Sequence, residues 1–195
     1  MSILKKLVFL IQLLRFTIVY PFIDMKNQDF IKDIERWEDI MGLNKAKRYS
    51  NICRLMTEYK EFRNIAIYRS GRKKIGRRII ALIYPPLSTL YIQAKEIGGG
   101  LFIQHGFSTM ISAEKIGKNF WINQQVTLGY TDHTRPPILG DNVMVTCGAK
   151  VLGPITVGNN VVVGANAVVV KDVEDNVVVG GIPAKIIKRL ISSGG

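Results

Sequence analysis

At 195 residues, with 47% apolar and 22% charged side chains, the chain has room for one domain, or for a small domain with an extension, and apolar content enough for a core. Its net charge of +12 is lopsided: residues 1–78 hold 18 Lys/Arg against 8 Asp/Glu, the remainder 9 against 7. The basic part points to anionic lipid or an acidic polymer; without zinc-knuckle spacing, an RNA-binding signature or a base-reading basic helix, nucleic acid ranks last.

In chain order, the apolar run Leu7 to Ile23 comes first. It follows Lys5 and Lys6, is broken by Gln12 and Arg15, and ends near Pro21. A signal peptide would need a small-residue cleavage site, and none follows Tyr20–Phe22. Seventeen residues with an internal arginine are short for a membrane span. Two other readings stand: an interfacial helix with its basic side toward headgroups, or a helix packed within the protein's own trimer. Asp33 to Met41 and Lys45 to Phe62 mix charged and apolar residues at three and four spacing, which predicts two helices. Tyr59 to Arg78 carries Arg63, Arg69, Arg72, Lys73, Lys74, Arg77 and Arg78. It reads as a solvated basic face or linker, or as a contact for acidic headgroups or a lipid-diphosphate carrier. Ile79 to Leu90, interrupted by Pro85–Pro86, is expected to form a helix, a turn and an entry segment, or a second membrane-touching element.

From residue 91 the pattern changes. Leu139, Val145, Val151, Val157, Val163 and Val169 recur every six residues, and four places after each stands Val143, Ala149, Ile155, Val161, Ala167 or Val173. A period of six fits neither a helix face nor a strand alternation. It is the pattern of a parallel β-helix, each hexad a short strand and a sharp corner, with the lead aliphatics stacked inside. Less regular hexads precede it, led by Ile97 and Ile103, then by Ile116, Ile122 and Leu128. Leu128 to Leu139 is eleven residues, so 129–138 must include a loop that leaves the coil. The last coil is expected to end near Glu174. The organisation read from this is a basic, partly apolar helical region at 1–90, a β-helix at 91–180 and a tail at 181–195.

Groups that titrate near neutral pH are few. His105 lies before Gly106, at or near a corner of the coil; His133 lies on the 129–138 loop between Asp132 and Arg135. Two histidines without a cysteine or carboxylate cluster argue against a metal site. Cys53 and Cys147 form no CxxC pair and suit free thiols in a reducing compartment. The expected location is therefore cytoplasmic, with the basic region peripheral at the inner face of the cell membrane.

The segments GLFIQHG (100–106), VTLG (126–129), GAKVLGPITVG (148–158), VGANAVVVKDV (163–173) and GIPAKIIKR (181–189) together resemble the hexapeptide acyltransferases, the serine O-acetyltransferase branch most closely. Within it, YIQAKEIGGGLFIQHG looks more like the polysaccharide O-acetyltransferases of the colanic-acid type. The resemblance implies a left-handed coil, which the spacing leaves open, together with a homotrimer, acetyl-CoA as donor and no metal. It places His105 at the family's catalytic histidine. There an imidazole, with an ordinary pKa of about 6.5, takes the hydroxyl proton as the new bond forms. Gly129 is the candidate N–H donor to the developing oxyanion, and Glu114 a candidate orienter of His105. The pattern also departs from the serine enzymes. Gln104 stands where they have an aspartate before the histidine, their upstream aspartate falls at about Leu90, and their second histidine falls near Arg135. Gln104, Asp132, His133 and Arg135 are thus acceptor-side candidates, and a sugar hydroxyl is expected as acceptor rather than free serine. The family's CoA contacts fall on Cys147, Ala165, Val170, Lys171, Lys185 and Lys188, the last two giving the tail a part in CoA binding. Small residues admit the pantetheine arm, and the lysines meet phosphates. The leading expectation is an O-acetyltransferase acting on a cell-surface polysaccharide or its lipid-linked precursor. Serine O-acetyltransferase of cysteine biosynthesis is the first alternative, and a non-catalytic trimeric scaffold the second.

Overall fold

The computed structural model describes residues 3–71, 74–131 and 135–190. The chain divides into two compact units, Met1–Leu87 and Ser88–Gly195.

The first unit is helical: α1 (Ile3–Val19), α2 (Gln28–Ile40), α3 (Arg48–Glu58), α4 (Lys60–Arg69) and α5 (Lys74–Ile83), with 3-10 turns at Tyr20–Phe22 and Lys45–Lys47. α2 begins five residues earlier than the charge pattern predicts, because the Asn27 side chain accepts from Phe30 N–H and caps it. Phe30, Trp37 and Phe62 pack ring against ring at 5.4 to 5.8 Å and, with Ile34, Ile52, Leu55 and Met56, form the core. The single helix expected over Lys45 to Phe62 is instead a 3-10 turn and two helices, broken where Tyr59 is extended (φ −118°, ψ 108°). That break leaves helix-end carbonyls without partners. Arg63 supplies them: its guanidinium donates to the carbonyls of Met56 and Thr57, each at 2.7 Å, and to Pro85 at 2.9 Å.

The basic stretch Tyr59 to Arg78 is therefore not one solvated face. Arg63 and Arg69 are buried, and Arg69 grips the buried Asp33 carboxylate through Nε at 2.7 Å and Nη2 at 3.2 Å. Lys74, Arg77 and Arg78 are exposed on α5. Among the described residues no helix is long and apolar enough to cross a membrane.

The second unit is a parallel β-helix. Its strands are β1 (Leu90–Ile92), β2 (Phe102–Ile103), β3 (Thr109–Ile111), β4 (Lys115–Ile116), β5 (Trp121–Ile122), β6 (Thr127–Gly129), β7 (Ile138–Leu139), β8 (Met144–Val145), β9 (Lys150–Leu152), β10 (Thr156–Val157), β11 (Val162–Val163), β12 (Val168–Val169), β13 (Val177–Gly180) and β14 (Lys185–Arg189). They fall into three sheets: sheet 1 is β1-β3-β6-β9-β12, sheet 2 is β4-β7-β10, and sheet 3 is β2-β5-β8-β11-β13-β14. The chain visits the sheets in rotation, so the coil has three sides and three corners, 1–2, 2–3 and 3–1. All six lead aliphatics from Leu139 to Val169 are no more than 2% exposed.

The 2–3 corner shows how the turns are held. Asn119, Asn142, Asn160 and Asn176 all adopt left-handed φ, 55° to 59°, a region asparagine tolerates better than most residues. Each side chain donates to the next, at 3.0, 2.9 and 2.9 Å. A glycine in each upper turn precedes the ladder; a Cβ on Gly140 would stand 2.9 Å from the Gly158 backbone.

Register gives the length of a turn. Met144 pairs with Val162, 18 residues on, whereas Trp121 pairs with Met144, 23 on. The five extra residues lie between β6 and β7, on the loop the eleven-residue gap predicts. The coil does not end near Glu174. Val162 pairs with Val178 after 16 residues, so a shortened turn runs to Gly180 and β14 then closes sheet 3 antiparallel.

Two stability changes are expected. Arg69→Met leaves the Asp33 charge buried without its partner and should cost about 3–5 kcal/mol by chemical denaturation. Asn142→Ala breaks two ladder bonds and puts a Cβ-bearing residue without a local hydrogen bond at left-handed φ, for about 2–3 kcal/mol. Asn142→Gly keeps the backbone relaxed and should cost less.

Candidate active site

The 3–1 corner departs from the repeat at one place. From Ile122 to Leu128, Val145 to Val151 and Val163 to Val169 the chain uses six residues between inward positions. Register stacks Ile103 on Ile122 and Ile111 on Leu128, so the first turn spends eight residues on the same step. The two extra residues push the backbone outward. Lower turns have one left-handed residue here: Gln125, Gly148 or Asn166. The first turn has two, Ser108 at φ 52° and His105 at φ 53°. Phe107 N–H closes a tight turn onto the His105 carbonyl at 2.8 Å. His105 is exposed, and among the described residues its imidazole makes no hydrogen bond. A non-glycine residue held there costs about 1–2 kcal/mol, and such outliers gather at functional sites.

Beside His105 stands an amide, and the Lys150 ammonium lies on the same edge further down, donating to the Gln125 and Gly148 carbonyls at 2.7 and 3.0 Å. Gln104 N–H donates to the Ile122 carbonyl at 2.9 Å, and its Oε1 accepts from Asn123 Nδ2 at 3.1 Å. Leu90, where the serine enzymes' upstream aspartate falls, is a buried residue of β1. Gln124 lies in the turn beneath, and its Oε1 is buried without a hydrogen-bond partner. Sequence reasoning missed it; the signal was the eight-residue step above it, visible once Ile111 is read as a lead residue.

Gly148 N–H donates to the Gln124 carbonyl and Asn166 N–H to the Cys147 carbonyl, which stacks His105, Gln124, Cys147 and Ala165 along one edge in successive turns. At about 4.8 Å per strand, Cys147 lies roughly 10 Å and Ala165 roughly 14 Å from the His105 position. Cys147 is half-buried and Ala165 exposed, so below Gln124 the next two positions of this edge carry small side chains.

The remaining candidates do not join His105 within the protomer. Glu114 sits at the 1–2 corner, where Lys95 Nζ holds its two oxygens at 2.9 and 2.7 Å. Within one protomer it does not reach His105, because β3 lies between them. Gly129 is buried at the same side of sheet 1, paired opposite Leu152, with its carbonyl accepting from Gly153 N–H at 2.9 Å. Arg135, Val170 and Lys171 are exposed at that corner too. Asp132 and His133 lie outside the described residues. Lys171 and Lys185 share a cleft of about 720 Å³ below the last turn. Its carboxylates are already engaged: Asp172 with Thr156 N–H, Asp175 with Asn159, Glu174 with Arg189. The Asn159 backbone N–H and then its side-chain amide hold Asp175 below the ordinary aspartate pKa. Neither lysine makes an ion pair among the described residues, so both charges are available to an anion. Lys188 is exposed on β14 opposite Val178.

Residues 136–171 match the family model described as "Bacterial transferase hexapeptide (six repeats)". Serine acetyltransferase of Staphylococcus aureus (strain Mu50) is 46% identical over 123 residues, 60% of this chain and 58% of that protein. Serine acetyltransferase of Staphylococcus xylosus is 47% identical over 98 residues, 48% of this chain and 45% of that protein. The chain thus spans about half the length of these relatives. Among solved structures, serine acetyltransferase from Brucella abortus strain S19 superposes with a TM-score of 0.65 at 28% identity, over 83% of this chain and 68% of that one. The same protein in complex with coenzyme A gives 0.61 at 29% identity, over 83% and 67%. Repeat, coil and solved relatives agree on the fold: the second unit is a hexapeptide-repeat solenoid like that of these transferases.

Proposed function

We propose that this protein is an O-acetyltransferase that moves acetyl from acetyl-CoA to a hydroxyl, with His105 as general base. The observation that carries the reading is the enlarged 3–1 corner, which lifts one exposed imidazole above an edge of small residues. His105 takes the acceptor's proton as its oxygen bonds to the thioester carbonyl. The imidazolium returns that proton as the carbon–sulfur bond breaks and the CoA thiol leaves. Cys147 and Ala165 leave room for a pantetheine arm along the edge, and Lys171 and Lys185 offer point charges for phosphates.

Free L-serine is the first acceptor to test, because the relatives named above are serine acetyltransferases. A sugar hydroxyl, as on a cell-surface polysaccharide, is the second, and a specific observation favours it. Serine's ammonium and carboxylate need charged partners, and Gln104 and Leu90 stand in this chain where the serine enzymes have aspartates.

The candidates sort onto two edges of sheet 1, His105 with Cys147 and Ala165 on one, Lys171 with Val170 on the other. A strand of three residues separates them by about 10 Å. A second protomer supplying its own edge brings the two sets together, which is the reason to propose a homotrimer with sites at its seams.

Three outcomes are expected. Thiol release from acetyl-CoA with serine, compared with acetylatable polysaccharide, identifies the acceptor; release with neither sinks the transferase reading. His105→Ala should lower kcat about 10²–10⁴-fold with CoA binding retained. Gln124→Leu removes a buried orphan acceptor, so thermal stability should hold or rise.

A further inference from the structure

The first unit carries a surface that acetyl transfer does not explain. Leu7, Ile11, Leu14 and Ile18 follow one another at four, three and four residues, which puts them on one stripe of α1. They are 52%, 57%, 65% and 55% exposed, and Val8 and Leu10 flank them at 45% and 60%. The opposite side of the helix is the buried one, through Phe16 and Val19. α1 is thus apolar on two faces, one used by the core and one left outward.

α5 packs beside α1, and the Arg15 guanidinium donates to the Ile83 carbonyl at the end of α5. α5 also turns apolar side chains outward, Ile75 at 73% and Leu82 at 81% exposure. It adds a group of cations: Lys74, Arg77 and Arg78, exposed, which with Ile67 and Ala81 line a cleft of about 330 Å³. Residues 1–23 and 70–83 contain no aspartate or glutamate.

We propose that α1 and α5 form a surface for an anionic lipid bilayer. The aliphatic stripe enters the boundary between headgroups and acyl chains, and the α5 cations meet lipid phosphates. Charge selects this occupant over a second copy of the chain. Two copies meeting here would bring like charges together with no carboxylate on either helix to offset them. Length excludes the other membrane mode, since α1 has 17 residues and no described helix is long and apolar enough to cross. α1 therefore lies along a surface.

The test is co-sedimentation of the full chain with two kinds of vesicle at low salt, phosphatidylcholine alone and phosphatidylcholine with about 30 mol% phosphatidylglycerol. Pelleting is expected with the anionic vesicles, weakening as salt rises. Leu10→Glu with Leu14→Glu, and separately Lys74→Glu with Arg78→Glu, should each lower partitioning at least tenfold, to roughly that order. Circular dichroism checks that the variants stay folded; should the leucine pair unfold, the α5 pair decides. No pelleting with anionic vesicles overturns the proposal, as does pelleting that neither pair alters. A particle mass that falls in the leucine variant, without vesicle binding by the native chain, assigns the face to a second copy instead.

Discussion

Each turn of the solenoid must return above the last in hydrogen-bonding register, and that requirement governs every other feature of the second unit. Parallel strands two or three residues long are held only by their neighbours in the adjacent turns. An inward aliphatic at one level obliges an inward aliphatic at the next, so Val145, Val163 and Val179 stack with 0–2% exposure. Corners are obliged as well. The left-handed asparagines of the 2–3 corner answer both the turn and the stacking, through the bonds each passes to the next. Chemistry has room only where register is kept while chain length changes, because residues added at a corner go outward without shifting the column. The first turn does this at His105 and the second between β6 and β7.

This explains what the sequence made legible. The hexads over 139–169 are uninterrupted, so the inward column could be read directly. The His105 corner could be read only in part. Counting by sixes from Ile103 arrives at Thr109, while the inward residue is Ile111, and the step of eight shows only against the turn below. Glu114 shows the same effect of winding: nine residues along the chain from His105, it is carried past β3 to the next corner and to Lys95 of the same protomer. The end of the coil was set too early because its last turn has 16 residues, and the count of six fails after Val169.

The helical unit was legible in composition and not in pairing. A run of arginines after Tyr59 reads as solvent-facing because burying a charge is costly. Arg69 escapes that cost through Asp33, 36 residues earlier, and Arg63 through two carbonyls freed by a broken helix and that of Pro85. Neither partner follows any local period. The same unit inverts the usual rule on α1, whose outward stripe is as apolar as its buried one.

The two corners flanking sheet 1 bear on the choice of acceptor. A carboxylate beside His105 would orient the imidazole, stabilise its protonated form and attract an amino group. Next to the histidine the structure puts an amide instead, Gln104 held by Asn123, and the cation of the same edge, Lys150, lies lower down on the Gln125 carbonyl. Amides bind neutral hydroxyls well and discriminate poorly between charged ends, because their oxygens and nitrogens carry only partial charge. Under the proposed trimer, a carboxylate such as Glu114 would reach the base from the opposite edge of a neighbouring subunit, or the base would work without one and the acceptor would be held by hydrogen bonds alone. The second arrangement suits a polyhydroxylated substrate, which offers many donors to a site of this kind and leaves no charge unpaired on binding.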